Sequence, residues 1–294
     1  MQKVSGNIYV FILLAIFLIS CKNNGTGSNT NADTSANEGK ERAKMMIQYS
    51  DQNVPRYYFV YEYNDDGFVK TEQIIDSTVY PVKVSTKIYY YEDSLLTKMD
   101  FIDDLGNTTY IVEYEYDDEG NMLKQTSRDA EIFNIVEYKY DERGNAVEQV
   151  TRDFSQGPEY VTKMQFAYDE EDNIIEGKSY DYQGNMNRWN KNIYVDDTMR
   201  AVIFLSPQGD TTHHIVYEYN NKGQLISEKE IGNDGNTYII KSHGWDDDGN
   251  KVIEESNRYQ FYKLIYYRNK ETGRLEQERM FDLNGNLQRM IIYE

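Results

Sequence analysis

Clusters of acidic residues are the side chains of this chain with the clearest potential for metal chemistry. The segments Asp246-Asp247-Asp248-Gly249-Asn250 and Asp117-Asp118-Glu119-Gly120 have the composition of fragments of a calcium loop. A complete calcium loop needs ligands at alternating positions and a distal bidentate acid. Glu254 and Glu255 follow the first cluster, but on a segment predicted to be a strand leaving a turn. We therefore expect these acids to be solvated turn residues that favour the turn conformation, and we predict no metal site and no cofactor.

The three histidines add little to this chemistry. His213 and His214 are adjacent, so on a strand they point to opposite faces and cannot easily ligate one ion. His243 occupies an aromatic position of a repeated pattern, which favours a packing role in the sheet. The sequence has no His-x-x-x-His pair, no cysteine pair and no serine nucleophile motif. We therefore predict that the protein is not an enzyme.

Aromatic residues are the most informative candidates for binding, since 28 of the 294 residues are tyrosine. One interpretation is structural: rows of aromatic side chains on neighbouring strands stabilise a thin sheet. The alternative is an exposed platform for sugar rings or for a partner strand. The candidate platform residues are Trp189, Trp245, Tyr114, Tyr138 and Tyr217.

A repeated pattern positions these residues. Its unit is an aromatic, any residue, an aromatic, Asp or Asn, two polar residues, Gly and usually Asn. Clear copies begin at Tyr61, Tyr114, Tyr138 and Tyr217, variant copies at Phe166 and His243, and degraded copies at Tyr89, Ile193 and Tyr266. The mean period is about 26 residues, which is typical of a repeat architecture. Many periods contain a second, weaker turn signal, such as the one at residues 103–107.

The pattern predicts tight turns between strands. Asp or Asn at the first position of a type I turn accepts a backbone hydrogen bond, and Gly at the fourth position adopts positive φ. We expect positive φ at Gly120 and Gly144. The flanks alternate, with Tyr114 and Tyr116 on one face and Glu115 on the other, which indicates strands.

The predicted fold class is therefore all-β. Tandem β-hairpin repeats should form a long twisted antiparallel sheet, coiled or partly rolled, over residues 51–294. Nine repeats correspond to roughly eighteen strands. In such an array, deletion of the last repeat, from about Tyr266 onward, should leave the other repeats folded.

This body resembles the YD repeats of Rhs proteins and of the shell components of insecticidal toxin complexes. The segment Tyr114-Glu115-Tyr116-Asp117-Asp118-Glu119-Gly120-Asn121 and its copy at Tyr138 carry the resemblance, which spans most of residues 57–294. It implies a coiled sheet of strands, which in that family encloses a C-terminal toxin. Arg usually follows the turn glycine in the family, whereas here Gly273-Arg274 is the one match. We expect this body to be too short to enclose a cargo.

The N-terminus has the features of a lipoprotein signal peptide, predicted over residues 1–20. Its apolar run, residues 8–19, is shorter than the roughly 20 residues that cross a bilayer. The run ends in Leu18-Ile19-Ser20-Cys21, which resembles the bacterial lipoprotein box. The resemblance implies cleavage after Ser20 and a diacylglycerol on Cys21. The alternative is an uncleaved signal anchor with an incidental cysteine.

Residues 21–50 are predicted to be the lipidated cysteine and a flexible tether, because Asn, Gly, Ser and Thr predominate in the first part of this range. Near its end, residues 38–46 favour a short helix. The formal net charge of −19 excludes a basic surface for nucleic acid, and anionic headgroups should repel so acidic a body.

Together these features predict a membrane-anchored extracytoplasmic lipoprotein of the bacterial cell envelope, expected at the outer membrane. Its β-repeat body would act as a binding or assembly module, and its terminal strands could recruit another strand through unpaired backbone groups. The alternative is a glycan-binding lipoprotein that uses an exposed Tyr and Trp face. The expected partners are the membrane, through the lipid on Cys21, and a protein or a polysaccharide, but no nucleic acid.

Replacement of Cys21 by Ala should release the protein from the membrane fraction, because the thioether acceptor of the lipid is lost. Fractionation and immunoblotting check this expectation. A variant that stays membrane-bound with the same processing as the wild type would contradict the lipid-anchor prediction.

Overall fold

A computed structural model describes residues 42–50, 54–129, 131–155, 157–258 and 260–293. All of them belong to one unit of the chain, Thr34–Glu294. The predicted signal peptide, Cys21 and most of the predicted tether lie outside the described residues. Within the described residues, no helix has the length and apolar character needed to cross a membrane.

The described chain is all-β, as predicted, and is built from tandem hairpins. Its twenty strands are β1 (Ala43–Tyr49), β2 (Pro55–Tyr63), β3 (Val69–Asp76), β4 (Lys83–Glu92), β5 (Leu95–Ile102), β6 (Thr108–Tyr116), β7 (Met122–Arg128), β8 (Ile132–Tyr140), β9 (Ala146–Asp153), β10 (Tyr160–Tyr168), β11 (Ile174–Tyr180), β12 (Met186–Val195), β13 (Thr198–Leu205), β14 (Thr211–Tyr219), β15 (Leu225–Gly232), β16 (Thr237–Trp245), β17 (Lys251–Ser256), β18 (Tyr262–Arg268), β19 (Leu275–Phe281) and β20 (Leu287–Tyr293).

Every strand pairs antiparallel with its sequence neighbours, and the sheet closes on itself. Strand β1 pairs with β2 and also with β20, with Met46 opposite Phe59 on one side and opposite Ile291 on the other. The predicted antiparallel sheet of tandem hairpins, coiled or partly rolled, is thus confirmed, and it closes completely into a ring of twenty strands. No described strand has a free edge, so the expected recruitment of a partner strand at the termini is wrong.

The nine predicted acid-x-x-Gly turns and their variants connect β2 through β19, and two further strands complete the ring. Strand β1 lies within the predicted tether and overlaps, at residues 43–46, the segment expected to favour a short helix. Its sequence, AKMMIQY, carries no turn signal in front of it, and its pairing with β20 depends on residues almost 250 positions away. The tether prediction therefore extended too far towards the C-terminus.

The turns have the predicted geometry. In the Asp117 turn, Gly120 N–H donates to the Asp117 carbonyl over 3.1 Å, and Asp117 N–H donates to the Asn121 carbonyl over 2.9 Å. Gly120 has φ 86° and Gly144 has φ 85°, as expected for the left-handed residue of a bulged hairpin turn.

Closure sorts the turns into two rims. Turns that follow even-numbered strands lie at the rim where β1 begins and β20 ends, because neighbouring strands run in opposite directions. We call this the acidic rim, since its turns contain the acidic clusters at residues 65–66, 117–119, 141–142, 169–172 and 246–248. Turns that follow odd-numbered strands form the opposite rim, which includes the weaker turn signals.

The sheet has almost no conventional core. Among the described residues, six apolar residues are buried, and no large side chain is fully buried. Side chains fill a closed sheet of about eight strands, whereas larger closed sheets leave open space inside. A ring of twenty strands therefore keeps both faces in contact with solvent, and its stability rests on strand pairing rather than on an apolar centre.

Deletion of residues 275–294, which removes β19 and β20, should destabilise the whole domain. The deletion opens the ring and leaves β1 and β18 as unpaired edges, which promote association. We expect a lower melting temperature and concentration-dependent oligomers, measured by circular dichroism and analytical ultracentrifugation. A truncated protein that stays monomeric with an unchanged melting temperature would show that closure contributes little.

Candidate binding surface

The alternation along the strands creates two chemically different faces. The tyrosine face carries the two aromatic positions of each repeat, for example Tyr114 and Tyr116 on β6. The ion-pair face carries the residues between them. There Lys124 pairs with Glu115 over 3.1 Å, and Lys139 pairs with Glu148 over 2.6 Å.

The second aromatic of the repeat bonds the end of its own strand to the start of the preceding strand. This contact lies at the open end of the hairpin that the two strands form. Tyr116 Oη donates a hydrogen bond of 2.8 Å to the carbonyl of Leu96 at the start of the preceding strand, and Trp245 Nε1 donates one of 2.8 Å to the carbonyl of Leu225. Equivalent bonds join Tyr63 to Ala43, Tyr91 to Val69, Tyr140 to Met122, Tyr168 to Ala146 and Tyr219 to Met199. In the degraded copy at Ile193 the same bond is made by Tyr194, one position before the expected second aromatic, to the carbonyl of Ile174. We call this contact the aromatic clamp, and the described residues show it in eight of the ten hairpins.

The first aromatic of the repeat has different surroundings. The hydroxyls of Tyr61, Tyr114, Tyr138 and Tyr217 donate to no described protein group, and none of them is a buried atom lacking a partner. Burial of the rings still raises the pKa of Tyr114 to about 12 and that of Tyr217 to about 12. These hydroxyls therefore lie in partly buried surroundings, where they have no described protein partner and are not fully enclosed.

An amide or acid on the next strand faces most of these first aromatics. Tyr114 lies opposite Gln125, and Tyr138 lies opposite Gln149. Glutamates take the same position in other repeats: Glu72 opposite Tyr61, Glu228 opposite Tyr217, Glu254 opposite His243 and Glu278 opposite Tyr266. The expected rows of aromatics do not bring Tyr114 and Tyr138 into a described ring contact, because strand β7 and Gln125 lie between them.

The two tryptophans of the predicted platform lie on opposite faces. Trp245 is on the tyrosine face as a clamp residue. Trp189 is on the ion-pair face, where its Nε1 donates to Glu176 over 2.7 Å and the Lys178 ammonium lies 5.0 Å from its ring. The structure therefore brings Tyr114, Tyr138 and Tyr217 to one face and places Trp189 on the other.

The acidic clusters bond within their own turns. Both carboxylate oxygens of Asp246 accept hydrogen bonds from Asn250, one from its backbone N–H over 2.7 Å and one from its side chain over 3.2 Å. The same bonds from Asn121 lower the pKa of Asp117. Within the part of the chain that the structure describes, no group of three or more His, Cys, Asp or Glu side chains is arranged to hold a metal ion.

His243, outside the predicted platform, has surroundings that the sequence did not indicate. Its side chain is 3% exposed, with Nε2 3.4 Å from Glu228 Oε1 and Nδ1 3.4 Å from Glu254 Oε2. Tyr262 Oη also donates to Glu254 over 2.6 Å. Burial lowers the pKa of His243, but the two carboxylates outweigh burial and leave the pKa raised. The expected aromatic packing role is thus replaced by a charged one.

His213 stacks on Phe204 at 4.3 Å, on the face opposite His214.

Comparisons with known proteins found distant structural likeness and no sequence match. No family model matches the chain, and no curated protein matches it. The chain is similar to part of the Photorhabdus luminescens Tc holotoxin pore, with 11% identity, a TM-score of 0.44, and coverage of 81% of this chain and 15% of that one. It is also similar to a porin-like protein from Bacteroides uniformis, with 11% identity, a TM-score of 0.39, and coverage of 85% and 95%. The class that the structure defines is a closed all-β protein of tandem hairpin repeats.

Tyr116→Phe should lower the free energy of unfolding by about 0.5–1.5 kcal/mol, because it deletes one clamp hydrogen bond. Tyr114→Phe, two residues away on the same face, should change stability much less, since its hydroxyl has no protein partner. Urea denaturation of both variants checks this difference. Equal losses would contradict the division of roles between first and second aromatics.

Loss of the His243 charge should destabilise the protein at alkaline pH. The folded pKa is raised above the ordinary value of 6.5, so the stabilisation is complete below 6.5 and declines as pH rises through the folded pKa. The groups facing the imidazole are Glu228 on β15, Lys241 on β16, and Glu254 and Lys251 on β17. Stability measured against pH by urea denaturation should show this decline.

His243→Gln supplies the control, because glutamine fills the site and does not titrate. Its stability should be lower than that of the wild type below pH 6.5 and should lack the decline. A wild-type profile that is flat, or that rises with pH through this range, would contradict a charged imidazole.

Proposed function

We propose that this chain is a non-catalytic binding module of the bacterial cell envelope, anchored by a lipid on Cys21, with the tyrosine face as its binding surface. One observation carries the proposal: the clamp aromatics use their polar atoms within the fold, whereas the first tyrosines Tyr61, Tyr114, Tyr138 and Tyr217 donate to no described protein group. The first tyrosine Tyr89 differs, because its hydroxyl donates to Glu72 over 2.9 Å. A ring without a buried centre does not need these tyrosines as core, and binding would explain their recurrence.

Closure of the sheet limits which parts of the module can contact a partner. With β1 and β20 paired, strand addition at an edge is unavailable to the described domain. A partner would therefore contact a face or a rim. The outer membrane is the proposed location, supported by the sequence features at Leu18-Ile19-Ser20-Cys21.

A polysaccharide is the ligand that one region of the tyrosine face favours. Around Tyr114, Gln125, Tyr138 and Gln149, this face offers hydroxyl and amide groups without charge. Equivalent positions in successive hairpins are two strands apart, a step of about 10 Å across the sheet. A regular series of neutral donors and acceptors beside aromatic rings suits a linear, hydroxyl-rich chain. Trp189 does not contribute, because it lies on the ion-pair face.

The double variant Tyr114→Phe/Tyr138→Phe tests this proposal. It removes two free hydroxyls and leaves the aromatic clamps intact, so we expect saturable binding to soluble neutral polysaccharides to weaken while the melting temperature is preserved. Isothermal calorimetry against a panel of such polysaccharides measures the effect.

Tyr267→Phe is the matched control, because this half-exposed tyrosine lies on the ion-pair face. The control should bind like the wild type. If the wild type binds no polysaccharide of the panel, the glycan candidate is wrong. Envelope proteins retained by the wild type and lost from the double variant would then identify a protein ligand of the same face.

A further inference from the structure

The most exposed large apolar side chains of the described residues all lie on the opposite rim. They are Tyr80 (99% exposed), Leu105 (81%), Leu283 (72%), Tyr182 (58%) and Val54 (56%). The described turn residues of the acidic rim include no comparable apolar side chain, although Val195, directly before one of these turns, is 51% exposed. The two rims therefore differ in chemistry as well as in position.

Closure of the ring makes most of these side chains neighbours. Phe261, Leu283, Val54, Tyr80 and Leu105 belong to five consecutive turns of the opposite rim, after β17, β19, β1, β3 and β5. Successive turns of one rim are two strands, about 10 Å, apart. We call this row the apolar arc. It is assembled from the two ends of the described chain, which the pairing of β20 with β1 brings together.

The fold does not require apolar residues at these positions. Leu105 and Glu119 occupy the third position of turns with the same geometry: Gly106 and Gly120 both have φ 86°, and each donates to its turn aspartate carbonyl over 3.1 Å. Leucine stands in one turn and glutamate in the other. Because the backbone accepts either, the geometry of the turn does not account for the leucine at residue 105.

Charge distinguishes the surroundings of the arc from the acidic rim. Next to Leu105, Asp104 pairs with Lys83 over 3.4 Å, and near Phe261, Arg258 pairs with Glu230 over 3.1 Å. On the acidic rim Arg143 pairs with Asp172 over 2.8 Å, but most turns of this rim contain two to four adjacent acids, which would be repelled by anionic headgroups. Electrostatics and apolar burial thus favour the same orientation at a lipid surface, with the arc towards it.

We propose that the apolar arc is a membrane-contact surface whose turn tips insert into the interfacial region of a lipid bilayer. Single tyrosine, phenylalanine and aliphatic side chains spaced along a rim suit a fluid surface that closes around each tip, and tyrosine places its ring in the apolar layer and its hydroxyl at the headgroups. A second copy of this chain would bring acids of the same sign together, which disfavours a rim-to-rim dimer.

The length of chain before the sheet permits this orientation, which rests on the lipid at Cys21 in the proposed function. Residue 42 enters the sheet at the acidic rim. The 22 residues from Cys21 to Arg42 have a contour of about 70 Å, while a strand of ten residues such as β12 spans about 33 Å. The lipid and the arc can therefore reach the same bilayer.

Tryptophan fluorescence tests the proposal on the acylated, signal-cleaved protein reconstituted in phosphatidylcholine vesicles. Tyr80→Trp and Leu105→Trp should lose emission when the acyl chains carry bromine and should emit at shorter wavelength. The matched variant Glu119→Trp on the acidic rim should do neither. Emission from Trp189 and Trp245, measured on the unsubstituted protein, is subtracted. A Leu105→Glu substitution should reduce the quenching at residue 80, whereas Glu119→Leu should not.

Absence of quenching at residues 80 and 105, or equal quenching at all three positions, would overturn the proposal. Sedimentation of the wild type as a dimer that Leu105→Glu dissociates would assign the arc to a second copy instead. Mass spectrometry of Cys21 tests the proposed lipid anchor independently of the role of the apolar arc. If the cysteine carries no lipid, the anchor fails, and quenching of the same variants added to preformed vesicles still decides the role of the arc.

Discussion

The aromatic clamp is the interaction on which the regular geometry of this sheet depends. A side-chain hydrogen bond to a backbone carbonyl fixes the acidic-rim ends of the two strands of a hairpin, next to the bulge that precedes the turn, as in Tyr140 to Met122. Each bond contributes about 1 kcal/mol. Because eight hairpins repeat it, the same local structure recurs around a ring that has almost no apolar centre. Stability is thus distributed over small contacts between sequence neighbours.

Local features of the sequence predicted local structure well. The turn at Asp117, the positive φ of Gly120 and the alternation around Tyr114 follow from a few adjacent residues and were confirmed. Features that depend on distant pairing were not predicted. Strand β1 has no turn signal of its own and exists through β2 and β20. For the same reason, closure of the ring and the absence of free edges could not be inferred from the repeat pattern.

The candidate binding surface could be predicted from the sequence only in part. Trp245 stands directly before the turn residue Asp246, so its place on the tyrosine face follows from the repeat pattern. The position of Trp189 did not follow, because the pattern begins its repeat at Ile193, whereas the clamp residue of β12 is Tyr194, an odd number of residues from Trp189. The surroundings of His243 could not be derived either, because Glu228 and Glu254 approach it from two other strands whose register the sequence does not specify. The repeat pattern marks the aromatic position, and the neighbouring strands determine whether that position is neutral or charged.

The antiparallel pairing of β20 with β1 restricts how a chain of this kind can change in length. Neighbouring strands alternate in direction, so a closed antiparallel ring contains an even number of strands, and the gain or loss of one strand would place two parallel strands at the seam. A duplication or deletion that preserves the ring must therefore add or remove a whole hairpin, about 26 residues. Each such event changes the circumference by about 10 Å and adds or removes one turn on each rim. Closed arrays of this kind should therefore differ from one another by whole hairpins, and their two rims should gain or lose turns in equal numbers.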